Sequence, residues 1–174
     1  MPDYKVTYKT VDDAFDFIKA GTTIVTSMAA AEPQLFWSNF HTKAKSLSGL
    51  KVFCANPSRP WPAIADDGMR DHAEFIVMFM TGAIRKLQGR GFVHYMPQHL
   101  SKWAQNLKDR PSGIDVFWGS CSSPDKRGFV SLGTSNCYES EVLRAAKHVI
   151  LEVNPNMPST FGGTEVALDE VDVF

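Results

Sequence analysis

The stretch Ser122 to Gly133 carries the hydroxyls of Ser123 and Ser131 and the carboxylate of Asp125 around a Pro124-Asp125 turn. Proline presets one backbone angle, aspartate bonds its own backbone, and Gly128 permits a positive φ. The run Ile114 to Trp118 before it is too short for a helix and rich in β-branched and aromatic residues, so it reads as a buried strand. Ligands of open α/β sheets sit outside the carboxyl ends of strands, which makes this polar turn a candidate binding site. The same pattern also describes a well-formed turn before a short strand.

Other reactive residue types are sparser. Cys121 ends the same strand, where a nucleophile belongs, but no base or cationic neighbour that would activate it is visible in the sequence; a buried, inert thiol fits equally well. Gly89-Arg90-Gly91, with Lys86 nearby, resembles a loop that approaches phosphate, yet matches neither the P-loop nor the dinucleotide fingerprint; a solvated basic edge is the plainer reading. Glu32 follows a strand and precedes a helix. It points into the same crevice as Asp125 or serves only as a helix cap. The five histidines, His41, His72, His94, His99 and His148, fall in no metal spacing, and no metal site is expected.

Composition excludes several classes. A net charge of −1 gives no electrostatic case for nucleic acid or an anionic membrane. With 44% hydrophobic and 21% charged residues the chain has an ordinary globular balance rather than a disordered one. The longest apolar run, Phe75 to Met80, is far too short to cross a bilayer, and the polar stretch Met1 to Thr10 shows no secretory signal. Three cysteines without a pairing pattern suit a reducing cytoplasm. The length of 174 residues fits one domain, and no internal repeat is present.

The positioning elements follow from periodicity and punctuation. Thr10 caps a helix through Val11, Ala14, Phe15 and Ile18, which Gly21 stops. Pro33 begins a second helix with Leu35, Phe36, Phe40, Ala44 and Leu47 on its apolar face. Asn56 to Gly68 is a loop in which Trp61 packs over the core edge. Gly82 to Gln88 is a short helix, and Phe92 to Met96 is a strand or an extended connection. Pro97 starts a helix with Leu100, Trp103, Ala104 and Leu107 inward, and Tyr138 to Lys147 forms another. Phe129 to Leu132 is a small outer strand, and Glu165 to Phe174 holds edge strands. The main sheet is expected to contain Thr23 to Met28, Lys51 to Ala55, Glu74 to Phe79, Ile114 to Ser120 and His148 to Val153. This alternation predicts an α/β fold: an open, mostly parallel sheet flanked by helices in a Rossmann-like three-layer arrangement.

Several blocks, in order and spacing, resemble the acetyl-CoA hydrolase/transferase family. They are Asp13-Ala14 through Ile18 with Gly21 and Glu32-Pro33; Gly89-Arg90-Gly91 with Tyr95 and Pro97; Ile114-Asp115-Val116 with Ser123-Pro124-Asp125, Gly128, Ser131 and Gly133; and Ala145-Ala146-Lys147, Val149-Ile150 and Glu152-Val153-Asn154 with Pro158 and Gly162. Nearly the whole chain is similar to the N-terminal domain of that family, nearest to 4-hydroxybutyrate CoA-transferases.

The resemblance implies a two-domain enzyme that moves CoA between an acyl-CoA and a small carboxylate such as acetate, butyrate or 4-hydroxybutyrate. A glutamate attacks the thioester, and an acyl-glutamyl anhydride and a glutamyl-CoA thioester follow. The coenzyme A thioester is then a substrate, with no tightly bound cofactor. The nucleophilic glutamate and the CoA-binding segment belong to a C-terminal domain or subunit outside Met1 to Phe174, so no residue here inherits the attack. On this likeness Met28, Glu32, Ser123, Pro124, Asp125, Gly128, Ser131 and Asn154 are expected together at the carboxyl edge of the sheet as substrate-binding residues. Two departures bear on acyl specificity. Ser123 stands where the family usually has the first proline of Ser-Pro-Pro-Asp, and Met28 stands where some relatives carry a polar residue or glycine. An apolar docking patch for the second domain, or for self-association, is also expected. The alternative is a free-standing, non-catalytic small-molecule-binding or interaction domain.

Overall fold

A computed structural model describes residues 6–174. The first half of the polar N-terminal stretch read above therefore lies outside the described residues. Six strands form one parallel sheet: β1 (Thr23–Thr26), β2 (Leu50–Cys54), β3 (Ala73–Val77), β4 (Val93–Tyr95), β5 (Ile114–Cys121) and β7 (Ala146–Val153). Their order is β4-β3-β2-β1-β5-β7, in register Ile24 beside Val52 and Val116, and Trp118 beside Ile150. β6 (Phe129–Ser131) and β8 (Glu165–Ala167) make a separate antiparallel pair.

Each central strand buries both faces, because helices cover both. Ile24, Val116 and Trp118 point to a core shared with α1 (Val11–Phe15), α2 (Gln34–Lys43) and α3 (Pro62–Ala65). Val25 and Phe117 point the other way, to α4 (Trp103–Lys108) and α5 (Glu139–Ala145). The first core is aromatic: the Phe36 ring lies 5.1 Å from Trp118 and 4.8 Å from Phe40, centroid to centroid. The predicted α/β class and the parallel sheet hold, and Phe92 to Met96 resolves as the edge strand β4.

Several local expectations change. α1 has the Thr10 cap, reciprocated by Asp13, but ends at Phe15. Tighter three-residue bonds from Phe17 to Ala14 and from Ile18 to Phe15 unwind it, and Gly21, at φ +78°, makes a later turn whose N–H reaches Ser48. Pro33 stands just before α2 rather than in its first turn. Leu35 is 53% exposed and leaves the apolar face to Phe36, Trp37, Phe40 and Ala44. The loop Asn56 to Gly68 contains α3, since Pro62 starts a short turn that buries Ala63 and Ile64 beside the buried Trp61. The helix predicted over 82–88 is one tight turn, Arg85–Leu87. The helix after Pro97 starts only at Trp103, behind a tight turn at Leu100–Lys102. No helix among the described residues is long and apolar enough to cross a membrane.

Candidate functional site

The chain steps outward from β1 to β4, then returns to lay β5 on the other side of β1. Connections on the two sides of that boundary leave in opposite directions, which makes it the switch point at which open α/β sheets place ligands. Backbone packing is tight there. A Cβ on Gly119 would lie 2.9 Å from Ser27 Oγ and 3.0 Å from Phe117 Cζ, so glycine lets the two strands end side by side. The N–H of Ser27 donates to Trp118 O at 3.2 Å, and Ser27 Oγ donates to Ala31 O at 2.5 Å.

The segment leaving β1 is strained and held. Ala29 is exposed with φ +54°, a left-handed conformation that costs a non-glycine residue about 1–2 kcal/mol. One residue earlier, the N–H of Met28 donates to Glu139 Oε1 at 3.2 Å. Glu139 is fully buried at the start of α5, and its other oxygen accepts from the N–H groups of Cys137 and Tyr138 at 2.8 and 3.0 Å. Burial pushes its carboxyl above the usual range, and these backbone donors oppose the rise. Tyr138 completes the anchor, its hydroxyl donating to Thr26 O at 2.7 Å.

A second carboxylate crosses the neighbouring gap. Glu152, near the end of β7, accepts from the N–H groups of Leu35 (2.9 Å) and Phe36 (2.7 Å) and from Trp118 Nε1 (3.1 Å). Burial raises its carboxyl too, against those donors. Glu152 sits in a cleft of about 400 Å³ whose lining includes Tyr8, Leu35, Trp118, Ser123 and Phe174.

The sequence-predicted residues divide between these places. Met28, Ser123 and Asn154 leave the carboxyl ends of the neighbouring strands β1, β5 and β7, and the Asn154 N–H donates to Cys121 O at 2.9 Å. Glu32 is 3% exposed and turns toward the loop after β2, where the hydroxyl and N–H of Ser58 donate to its two oxygens. Pro124 leads from Ser123 into the loop that Asp125 closes. Asp125 accepts from the N–H groups of Arg127 and Phe129, each at 2.9 Å, and from Arg127 Nε at 2.8 Å. Those contacts, the Phe129 N–H foremost, hold its carboxyl below the usual range. Gly128, at φ +85°, finishes the turn. Ser131 belongs to the β6–β8 pair, where its Oγ accepts from the N–H groups of Gly133 and Thr160, both at 3.0 Å. Asp125, Gly128 and Ser131 are thus engaged in building the loop, while Met28, Ser123 and Asn154 ring the strand ends.

Burial pushes the Cys121 thiol up to about 12, which removes it as a nucleophile. Among the described residues no group of histidine, cysteine and acidic side chains is arranged to hold a metal. Glu139 and Glu152 escaped the sequence reading as site residues. Glu139, opening the Tyr138 to Lys147 helix, looks like ordinary first-turn chemistry, and Glu152 entered only as part of the family-like block Glu152-Val153-Asn154.

The family model described as the acetyl-CoA hydrolase/transferase N-terminal domain matches residues 2–173. A succinyl-CoA:acetate/propanoyl-CoA:succinate CoA transferase of Fasciola hepatica is 27% identical over 93% of this chain and 34% of its own length. The 4-hydroxybutyrate coenzyme A transferase of Clostridium kluyveri is 33% identical over 61% of this chain and 25% of its own length. Among solved structures, RipA from Yersinia pestis is similar with a TM-score of 0.86 at 28% identity, over 95% of this chain and 41% of that one. The chain spans roughly a quarter to a third of the length of these curated relatives.

Proposed function

Because this chain belongs to the acetyl-CoA hydrolase/transferase family, as its N-terminal domain, we propose that it forms one wall of a crevice where CoA passes between an acyl-CoA and a small carboxylate. The observation that carries this reading is the family match over residues 2–173, supported by the reversal of strand order between β1 and β5, where such folds place ligands.

In this reading residues 1–174 are one α/β domain, and a second domain or subunit supplies the attacking glutamate. Its carboxylate oxygen adds to the thioester carbonyl, the C–S bond breaks, and CoA leaves as a thiolate. The thiolate attacks the glutamyl carbonyl of the anhydride, forming a glutamyl-CoA thioester and releasing the first acyl group as a carboxylate; the acceptor carboxylate then runs the same two steps in reverse and leaves as its CoA thioester, restoring the glutamate. The wall's part is to shape the acyl end of the crevice and exclude water, which strengthens every contact to the developing oxyanion. Met28, Ser123 and Asn154, at the strand ends, are the residues we assign to that surface. Glu32, Pro124, Asp125, Gly128 and Ser131 support it from the adjoining loops. Neither acid here is free for attack, since Ser58 engages Glu32 and the turn engages Asp125. The three free cysteines, two of them buried, support a reducing cytoplasm as the compartment.

The test compares the 174-residue polypeptide with a chimera in which the remainder of the Clostridium kluyveri transferase follows Phe174. Acyl transfer from acetyl-CoA to butyrate or 4-hydroxybutyrate is measured, with borohydride trapping of a glutamyl-CoA thioester. The expected result is turnover and trapping in the chimera alone. Turnover by the 174-residue polypeptide, lost in Glu32→Gln or Asp125→Asn, would place the nucleophile in this chain and overturn the reading.

A further inference from the structure

Glu139 is fully buried, and among the described residues its carboxylate finds backbone N–H groups and no cation. An anion removed from water in that way is expensive to bury. Two of its bonds, from Cys137 and Tyr138, lie at the start of its own helix, where a serine or aspartate would serve as well. The third, from the Met28 N–H at 3.2 Å, reaches 111 residues back in the chain. Helix capping accounts for the first two bonds and gives no reason for the third.

Tyr138 and Glu139 are adjacent, and they grip alternate residues of the chain leaving β1. The Tyr138 hydroxyl donates to Thr26 O at 2.7 Å, and Glu139 accepts from Met28. The next residue, Ala29, is the one non-glycine residue with a positive φ among the described residues, and it is exposed. Such a conformation persists only where the surroundings over-determine it. Beyond Ala29 the turn is closed by its own backbone, with the Ala31 N–H on Met28 O and the Glu32 N–H on Ala29 O. Glu139 therefore supplies the hydrogen bond from outside the turn that opposes its relaxation. Met28, half-buried against the α4–α5 core, shifts with the turn if Ala29 returns to negative φ.

We propose that Glu139 is a positioning residue for the acyl end of the site: through the Met28 N–H it keeps Ala29 left-handed, and so sets where Met28 meets the acyl chain. The inference rests on the reading above that the end of β1 faces the acyl group. Buried as it is, the carboxylate touches no substrate and acts only through the turn. Its loss therefore falls on the small carboxylate, which has this surface to bind. The acyl-CoA is spared, because in that reading the second domain holds its CoA part.

Glu139→Gln tests it, because glutamine keeps the side-chain length. Its one carbonyl oxygen goes to the two N–H groups of the helix start, which turns the amide NH2 against the Met28 N–H and breaks that bond alone. In the 174-residue polypeptide, exchange of the Met28 amide is expected to quicken at least about tenfold, with Val116 in β5 still protected. In the chimera, at mildly alkaline pH, the KM for butyrate should rise at least about fivefold and that for acetyl-CoA stay within about twofold; neither depends on how much of the enzyme is folded. Adding Ala29→Gly should bring the butyrate KM back to within about twofold of the parent, because glycine takes the left-handed form without strain. An unchanged Met28 amide or butyrate KM in Glu139→Gln overturns the proposal. So does a rise shared equally by acetyl-CoA, or one that Ala29→Gly leaves in place. A Glu139→Gln chain with Val116 unprotected would make the carboxylate a requirement of folding, and also overturn it. A parent chimera without turnover would instead remove the reading on which the inference rests, and the inference with it.

Discussion

The carboxylate of Glu152 accepts a 2.7 Å hydrogen bond from the backbone N–H of Phe36, 116 residues earlier in the chain. α2 has no side-chain cap of its own, because proline stands at the capping position. Glu152 supplies from the end of β7 what a local serine or aspartate would normally supply, and fixes where α2 starts relative to the crevice. Replacing it with alanine leaves the N–H groups of Leu35 and Phe36 and the Trp118 indole without acceptors. Glu152→Ala is therefore expected to cost about 2 kcal/mol in denaturant unfolding. Glu152→Gln, which keeps one good acceptor oxygen, should cost about half as much. Equal stability of Glu152→Ala and the parent would show that the capping bonds contribute nothing.

Glu139 gives a pH dependence of definite sign. Burial raises its carboxyl in the folded state, so between the ordinary glutamate range and the raised value the folded chain binds more protons than the unfolded one. This group's contribution to stability then falls as pH rises through that window. Glutamine at this position does not titrate. The stability of Glu139→Gln relative to the parent should improve as pH rises from the ordinary glutamate range through the raised value, and level off above it. A relative stability that declines over the same interval would mean that the carboxylate is favoured, not penalised, in its buried setting.

Gly133 cannot be enlarged. It lies at φ +68°, and a Cβ there would come 2.6 Å from Met157 Cγ and 3.3 Å from Pro158 O. Gly133→Ala is expected to destabilise by about 1–3 kcal/mol, through backbone strain and overpacking together. Gly163 has open space and no positive φ, so Gly163→Ala should be neutral or slightly stabilising in the same thermal unfolding series.

Asp125 separates a structural from a ligand-binding role. Asp125→Ala removes the acceptor for Arg127 and Phe129, so amide exchange at Phe129 should quicken locally while the midpoint of unfolding hardly moves. Asp125→Asn keeps an acceptor oxygen for Phe129 and should keep that amide slow. In the chimera, normal KM for both carboxylate and acyl-CoA in Asp125→Asn would confine the residue to the turn, and a raised KM would put it against the substrate.

The strands were legible because each is a short apolar run too brief for a helix, as in Ile114 to Trp118, and the Thr10 cap was legible because cap and partner are three residues apart. Helix ends were less so. Whether α1 continues to Gly21 or unwinds after Phe15 depends on three-residue bonds that compete with four-residue ones over the same residues. Leu35 has the spacing of a buried residue and is exposed, since the face opposite it already carries Phe36, Trp37 and Phe40.

The polar turn after β5 shows the division most clearly. Its residue types announced Pro124, Asp125 and Gly128 as a turn, and local backbone chemistry was enough for that. Asp125 closes the loop locally through Arg127 and Phe129, whereas the place of Ser131 was settled by Thr160 and Thr164, which arrive some 30 residues later. Side-chain type and spacing act over a few residues, and they established the α/β class and the strands. Burial and partnership act through space. Only packing could bring Glu139 under Met28 and Glu152 under Phe36, because Met28 and Phe36 lie over a hundred residues from the carboxylates that hold them.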